Sequence, residues 1–400
     1  MIKNNLDDII MNNIIEISGI WTRYNKIDLV DSLIERSSKS IFINFGYVIG
    51  GEDAKYVLDK LIQKKNNFPQ IKIIVCLIMV RNNYSDEYMN LLKTVLDEVF
   101  VLYHGIITTS HFPYFHLSVC HHKCALFDEC ELIIGSNNYK DGFLYPKDIN
   151  FSKNNYNFVS KRSAFFHTNI VTKTFLEFDI YIKFKNEYPD LLNKLYKVIS
   201  GITVLNSDLI GSNFKIDFTG INYGRKYPII DILQNTTNCV DLVCFHLWPR
   251  GEFYNELIRL LKNRVRIRVI IPASESITTY FFYIVCMYHI YRLSYYGEIN
   301  YSTICIGSSM HIKMIISDNS NLLMSSANYN DKSLNQKIES ELWCYMWGDK
   351  TKQVIREYKN WTNRIIFKKY DRNNGLFGWF GDAIYRGTMN VISSFIEWMF

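Results

Sequence analysis

The first half of the chain carries a regular succession of apolar patterns. A helix ending near Arg36 precedes a continuous apolar strand over 40–47. The dipeptide Gly51-Glu52 then begins a stretch with apolar residues at helical spacing, and a second buried strand over 71–77 closes the unit. The order strand, helix, strand predicts a parallel βαβ unit, because parallel neighbours need a long crossover connection.

The second half repeats this order. Its pattern predicts a helix over 229–233, a strand over 240–247, a helix that begins at Gly251-Glu252, and a strand over 265–271. An internal repeat of βαβ units predicts an α/β architecture in both halves.

Polar stretches mark the domain boundaries. A connection rich in Gly, Asn and Ser over 200–213 separates the halves, which predicts an N-terminal domain over 1–205 and a C-terminal domain over 206–370. The polar segment 140–169 is interpreted as a surface insertion in the first domain. Residues 371–400 form a third region of different composition.

A chemical motif follows the βαβ unit in each half. Both copies read His-x-Lys-x4-Asp and continue to a Ser-x-Asn, with the Asn 17 residues after the His. Two copies with identical spacing make chance a poor explanation. The first copy consists of His121, Lys123, Asp128, Ser136 and Asn138, and the second of His311, Lys313, Asp318, Ser326 and Asn328.

The spacing has a geometric meaning. Residues two apart on a strand face the same side, so His and Lys of each copy project together. A tight turn after each Asp returns a second strand, which brings Ser and Asn back beside them. Two such surfaces that face each other across a pseudo-twofold axis would form a cage for one phosphate. Lysines then supply the positive charge and asparagines donate hydrogen bonds, so the chemistry predicts no metal and no cofactor.

Two histidines suit a two-step reaction. One attacks phosphorus and forms a phosphohistidine, while the other protonates the leaving alkoxide and then deprotonates the incoming water or alcohol. The alternative is an inactive descendant that keeps the fold. The remaining histidines are interpreted as structural or surface residues: His104, His111, His116, His122, His167, His246 and His289.

The paired motifs resemble the HKD signatures of the phospholipase D superfamily, and the resemblance covers most of the chain. It implies two α/β/α lobes with one active site at their interface, a phosphohistidine intermediate and no cofactor. By family custom His121 would be the nucleophile and His311 the acid/base. The family also places an acidic residue at the start of a later strand. This implies Glu341 in the second half, with Glu339 as the alternative, and Glu177 in the first half.

Within the superfamily, the layout is similar to the poxvirus phospholipase D-like proteins and their cellular relatives. The stretch 354–361 resembles the Trp-ending helix that closes those chains. Some envelope members of that group have lost a motif histidine, whereas this chain keeps both. Such members often carry an adjacent cysteine pair for palmitoylation, which this sequence lacks. The resemblance implies a cytoplasmic protein, peripheral to membranes or associated with virions.

Composition adds a second argument for membranes. Residues 375–400 are rich in Trp, Phe and Ile and are interrupted by Asp382, Arg386 and Glu397, so an amphipathic tail at a bilayer interface is expected rather than a spanning helix. The alternatives are a helix docked on the lobes and an oligomer contact. Nine cysteines, several in apolar runs, indicate buried free thiols in a reducing compartment.

The leading hypothesis is therefore a phosphodiesterase that hydrolyses or transfers phosphodiester bonds of phospholipids. A nuclease acting through the same site and a non-enzymatic membrane-remodelling protein remain alternatives. The net charge of +6 favours a phosphate-bearing partner without identifying it. The aromatic tail favours lipid, and the scattered positive charge weakly disfavours nucleic acid. Headgroup, hydrolysis or transfer, and oligomeric state stay open.

Overall fold

The computed structural model describes most of the chain, and the findings below concern those residues. They are 14–21, 26–48, 52–79, 84–103, 107–109, 112–114, 121–135, 170–172, 178–200, 209–211, 214–219, 228–272, 277–306, 312–334, 341–363 and 365–371. All of the predicted insertion over 140–169 and nearly all of the tail lie outside these ranges.

The described part of the first half contains ten strands and four helices. The strands are β1 (Ile14–Trp21), β2 (Ser40–Val48), β3 (Lys72–Met79), β4 (Glu98–Tyr103), β5 (Ile107–Thr109), β6 (Phe112–Tyr114), β7 (Cys124–Phe127), β8 (Glu131–Gly135), β9 (Ile170–Thr172) and β10 (Phe178–Phe184). The helices are α1 (Lys26–Arg36), α2 (Glu52–Asn67), α3 (Asp86–Val95) and α4 (Pro189–Ile199).

The described part of the second half contains nine strands and five helices. The strands are β11 (Leu209–Gly211), β12 (Phe214–Thr219), β13 (Cys239–Val243), β14 (Arg266–Pro272), β15 (Ile299–Ile306), β16 (Met314–Ser317), β17 (Asn321–Ser325), β18 (Glu341–Trp347) and β19 (Lys368–Lys369). The helices are α5 (Pro228–Gln234), α6 (Gly251–Lys262), α7 (Ile277–Leu293), α8 (Asp331–Leu334) and α9 (Asp349–Thr362).

Two large sheets share one topology. The first has the order β1-β10-β8-β7-β2-β3-β4, and the second contains the run β12-β18-β17-β16-β13-β14-β15. In both sheets the last three of these strands are parallel and the remaining neighbours are antiparallel. This duplicated order confirms the predicted α/β fold with two lobes related by pseudo-twofold symmetry.

Apolar helix faces cover the sheets as the spacing predicts. In α2 the side chains of Val57, Leu58 and Leu61 are fully buried, and in α6 Leu257 and Leu260 are fully buried. Burial of each such side chain stabilises the fold by roughly 1.5–3 kcal/mol. Each lobe thus has a core of its own.

A third core joins the lobes. Phe184, just before α4, packs on Phe214 of β12 with ring centroids 5.1 Å apart. In the opposite direction, Glu357 of α9 accepts a hydrogen bond from the backbone N–H of Gly19 in β1 at 3.2 Å. Side chains from both lobes therefore meet in this third core.

Two features depart from the expected pattern. The predicted strand 240–247 ends at Val243, because the chain then leaves the ladder and the Trp248 N–H donates to the carbonyl of Tyr329 at 2.8 Å. The short strand β9 belongs to the first half of the sequence but pairs with β15 in the second sheet. Among the described residues, no helix combines the length and apolar character that crossing a membrane requires.

Candidate active site

Each motif lies on a hairpin of the same construction in its lobe, β7–β8 or β16–β17. In the first hairpin Asp128 and Glu129 have φ values of 47° and 59°, and the Cys130 N–H donates to the carbonyl of Phe127 at 3.0 Å. Two central residues with positive φ and this hydrogen bond are typical of a type I′ turn, which matches the twist of the strands. The second hairpin repeats the turn at Asp318-Asn319.

The motif aspartate anchors each turn to the neighbouring strand. The Asp128 carboxylate accepts hydrogen bonds from the backbone N–H groups of Ser38, Lys39 and Ser40 at 2.8–3.1 Å. Those groups lie at the start of β2. The four residues of β7 separate Asp128 from Lys123 along the chain. Asp128 therefore holds the turn of the hairpin against the start of β2.

Asp318 makes the equivalent contacts in the second lobe. Its carboxylate accepts from the N–H groups of Thr237, Asn238 and Cys239 at 2.7–2.9 Å. Partial burial opposes ionisation, but these backbone hydrogen bonds prevail and lower the pKa of Asp318 below its usual value. The ionised carboxylate is therefore the form that stabilises the fold.

At the other end of each hairpin lie the lysines, and both are buried. Lys123 is 3% exposed and Lys313 is 0% exposed. The N–H of Gly135 donates to the carbonyl of Lys123 at 3.2 Å, and the N–H of Ser325 donates to that of Lys313 at 3.1 Å. These bonds hold the end of the returning strand beside each lysine, as the spacing predicts.

A carboxylate from the second lobe meets the first motif. Nδ1 of His121 lies 2.8 Å from Oε1 of Glu341, the first residue of β18, and both side chains are buried. The other oxygen of Glu341 accepts a hydrogen bond from the hydroxyl of Ser326. Ser326 is held in turn by Leu342: the Ser326 N–H donates to the Leu342 carbonyl, and the Ser326 hydroxyl accepts from the Leu342 N–H, each at 3.0 Å. The acidic partner of His121 thus belongs to the opposite lobe.

The electrostatic environment of Glu341 joins the two motifs. Complete burial raises the pKa of Glu341 above its usual value, although the charge of Lys123, the hydrogen bond from Ser326 and the charges of His122 and Lys313 all oppose the rise. One buried carboxyl therefore lies within electrostatic range of both motif lysines. His122 itself is fully buried, with its ring 5.5 Å from that of Phe218.

Five of the candidate site residues lie outside the described residues: Ser136, Asn138, Glu177, His311 and the alternative acidic residue Glu339. Asn328 is described, and its side-chain oxygen is buried without a hydrogen-bond partner in that part of the structure. A buried amide oxygen without a partner is an exception that calls for an explanation, such as a donor supplied by a bound ligand.

Strand register relates Glu177 to Glu341. Asp179 of β10 pairs with Gly135, and Trp343 of β18 pairs with Ser325. Gly135 and Ser325 end equivalent strands, so Asp179 and Trp343 are equivalent. Glu177 stands two residues before Asp179 in the sequence, as Glu341 stands two residues before Trp343. Glu177 itself lies outside the described residues, so its role stays a prediction.

Sequence reasoning missed a buried ion pair beside the first motif. Lys26 of α1 and Asp179 are 4% and 1% exposed and form a salt bridge. A Cβ atom on Gly135 would lie 1.6 Å from Oδ1 of Asp179, so glycine is required there. In the second lobe the positions equivalent to Gly135 and Asp179 are occupied by Ser325 and Trp343. The available signal was an acidic residue, Asp179, in a largely apolar strand.

A part of the second lobe is similar to a known protein family. Residues 229–366, which include the second motif, match the model of a protein family described as "Cardiolipin synthase, PLD-like domain". A comparison of the sequence with curated proteins finds no match. Among the described residues, no group of three or more His, Cys, Asp or Glu side chains is arranged to hold a metal ion.

Solved structures resemble the whole fold. The phosphatidylserine synthase of Haemophilus influenzae Rd KW20 is similar with a TM-score of 0.65 and 10% identity, over 99% of this chain and 98% of that chain. The polyphosphate kinase of Porphyromonas gingivalis is similar with a TM-score of 0.54 and 12% identity, over 89% of this chain and 48% of that chain. At these identities the likeness concerns the fold alone.

Fold and sequence match together define the class of protein. The chain is a two-lobed α/β protein in which the same sheet topology occurs twice. Its residues 229–366 are similar to the family model described as "Cardiolipin synthase, PLD-like domain".

Proposed function

We propose that this chain cleaves or transfers phosphodiester bonds of phospholipids through a phosphohistidine on His121. The observation that carries the proposal is the 2.8 Å contact between His121 Nδ1 and Glu341 Oε1 across the two lobes. A histidine held by a carboxylate, with both motif lysines in electrostatic range of that carboxylate, is the arrangement that nucleophilic attack on a phosphodiester needs.

Glu341 fixes the tautomer of the nucleophile. Its oxygen accepts the proton on Nδ1, so the lone pair of His121 is on Nε2. As a negative charge, Glu341 also stabilises the imidazole when Nε2 becomes bonded to phosphorus and the ring becomes cationic. Ser326 holds the other carboxylate oxygen and so orients the acceptor.

The reaction proceeds in two balanced steps. Nε2 of His121 attacks phosphorus, the bond from phosphorus to the leaving oxygen breaks, and His311 protonates that oxygen. His311 then removes a proton from water or an alcohol, whose oxygen attacks phosphorus as the bond to Nε2 breaks. Lys123 and Lys313 stabilise the charge on the non-bridging oxygens, and Asn138 and Asn328 donate hydrogen bonds to them.

Phospholipid is the proposed substrate for two reasons. The matching family description names a cardiolipin synthase, and the structure with the higher TM-score of the two is called a phosphatidylserine synthase. The aromatic composition of residues 375–400 also suits a lipid interface. Nucleic acid is the alternative substrate, which uses the same phosphodiester chemistry.

One experiment tests the chemistry and the substrate together. The purified full chain in EDTA is offered labelled phosphatidylcholine, cardiolipin or single-stranded DNA, each with and without glycerol as acceptor. The proposal expects cleavage or headgroup exchange of a lipid. Cleavage of DNA alone would replace the substrate, and activity that vanishes in EDTA would overturn the mechanism.

Acid-quench mass spectrometry assigns the nucleophile. With an activated diester, wild type and His311→Ala should trap phosphate on His121, because a good leaving group departs without general-acid help. His121→Ala should trap none. Phosphate found on His311 in the wild type would reverse the two roles.

A further inference from the structure

A basic pocket lies on the C-terminal lobe at the end opposite the motif lysines. It has a volume of about 530 Å³ and is formed where α6 ends and where β14 and β15 begin. Three cationic side chains line it, and all three are exposed. They are Lys262, Arg264 and Arg266.

The charge of this pocket is not neutralised locally. Within the described part of the chain, none of the three cations has a carboxylate within salt-bridge distance, and Lys262 lies over the ring of Tyr296 at 5.6 Å. The acidic residue that lines the pocket, Glu298, is paired with Lys369 at 2.7 Å. The face therefore carries a net positive charge that a partner with negative charge would neutralise.

Exposed aromatic side chains accompany the charge. Tyr295 and Tyr296 follow the end of α7 and are 44% and 39% exposed, which places them among the few large apolar side chains exposed in the described structure. Tyrosine beside lysine and arginine is the composition of a protein surface that meets lipid headgroups.

The chain also leaves the lobe at this face. β19 pairs with the start of β15, and the Tyr370 N–H donates to the carbonyl of Ile299 at 3.0 Å. The aromatic sequence 375–400 follows a few residues later. A membrane-binding tail that begins here would bring this pocket to the bilayer.

We propose that this face, formed by Lys262, Arg264, Arg266, Tyr295 and Tyr296, docks on an anionic lipid membrane. Phosphate groups of the lipid would occupy the basic pocket while the two tyrosines lie at the level of the headgroups. The strand β14 has seven residues, so the pocket and the motif lysines are separated by about 20 Å. Because this docking holds the phosphodiester site away from the membrane on which the protein rests, the proposed phospholipid substrate would be taken from a second, facing membrane.

Vesicle binding by paired variants of the full chain tests the proposal. The variant Lys262→Gln, Arg266→Gln should bind vesicles of phosphatidylcholine and phosphatidylserine about 30-fold more weakly, since each cation near an anionic surface contributes about fivefold. The matched control is Lys93→Gln, Lys197→Gln, which removes two exposed lysines from the last turns of α3 and α4. An equal loss in the control, or no loss in the first variant, would overturn the proposal.

Two further arms separate the alternatives. In a chain ending at Asp371, the preference for anionic over neutral vesicles should persist and should still depend on Lys262 and Arg266. Disappearance of that preference would mean that the tail alone binds lipid.

If the first variant loses affinity for single-stranded DNA and keeps its affinity for vesicles, the face binds nucleic acid instead. None of these readouts uses catalysis, so the docking proposal stands or fails apart from the proposed activity. Where the double variant unfolds, Arg266→Gln alone should give the fivefold effect.

Discussion

His121 and Glu341 are in contact at 2.8 Å although 220 residues separate them in the chain. The histidine belongs to the first lobe, and the glutamate begins the strand that borders the second motif hairpin. The first lobe alone therefore lacks the acidic partner of its motif histidine. The site depends on the docking of the two lobes, and several measurable properties follow from this pair and its surroundings.

Replacing Glu341 with glutamine should separate activity from stability. The amide cannot supply a negative charge to the imidazole and can present its NH2 group to Nδ1, so kcat should fall on the order of 10³–10⁴-fold. Unfolding in urea should stay cooperative at an equal or higher midpoint, because burial raises the pKa of Glu341 and its charge therefore opposes folding. Glu339→Gln is the control and should keep its activity. Full activity in Glu341→Gln would remove Glu341 from the mechanism.

The pH dependence of kcat/KM should respond to Ser326. As the pH falls through the raised pKa of Glu341, the carboxyl is protonated and stops accepting the proton on His121 Nδ1, so activity falls. The Ser326 hydroxyl lowers that pKa, which means that Ser326→Ala should move the acid limb to higher pH. The control is Ser325→Ala, since the Ser325 hydroxyl contacts the backbone of Ala327 instead. An unmoved limb in Ser326→Ala would argue against Glu341 as its origin.

Asp318 should matter for stability rather than for chemistry. Asp318→Ala leaves three backbone N–H groups without their charged acceptor and should cost about 2 kcal/mol of unfolding free energy. The pKa of Asp318 is lowered in the folded state, so its contribution is present above the ordinary value of 3.8 and is lost as the pH falls through the folded value. Urea titrations at pH 7 and pH 3 should therefore show a large and a small difference from wild type. An undiminished difference at pH 3 would contradict this account.

His289 should make the protein sensitive to acid. Burial, with smaller effects from Arg292 and Arg250, lowers the pKa of His289 to about 3, and neither ring nitrogen has a partner in the described structure. In the unfolded chain His289 binds a proton near pH 6.5, whereas in the folded chain it stays neutral. The free energy of unfolding therefore falls as the pH drops from 6.5 towards 3. The slope is at most about 1.4 kcal/mol per pH unit.

His289→Phe should remove that slope and raise the stability at pH 5 relative to wild type. Tyr288→Phe changes the neighbouring ring but keeps the imidazole, so its slope should match wild type. Unfolding free energies from urea titrations at pH 7, 6, 5 and 4 measure both variants. A slope that survives in His289→Phe would show that another group titrates.

Local patterns were predictable and contacts between lobes were not. The motif hairpins follow from alternation along a strand and from two-residue turns, both of which are encoded within a few residues of Asp128 and Asp318. The family resemblance named Glu341, yet no local signal indicated that it would contact His121, since that contact depends on how two separately encoded lobes dock. The end of β13 at Val243 is a similar case, because the competing partner of Trp248 is the distant Tyr329.

The strand β9 has a consequence for the order in which the chain folds. Ile170 pairs with Ile304, which leaves the ribosome 134 residues later. At a translation rate of about 5–20 residues per second, Ile304 is synthesised roughly 7–27 s after Ile170, and Glu341 later still. During synthesis the N-terminal lobe can form its own sheet, but β9 and His121 lack their partners until the C-terminal lobe emerges. Two halves expressed as separate chains would therefore have to associate before either could complete its fold.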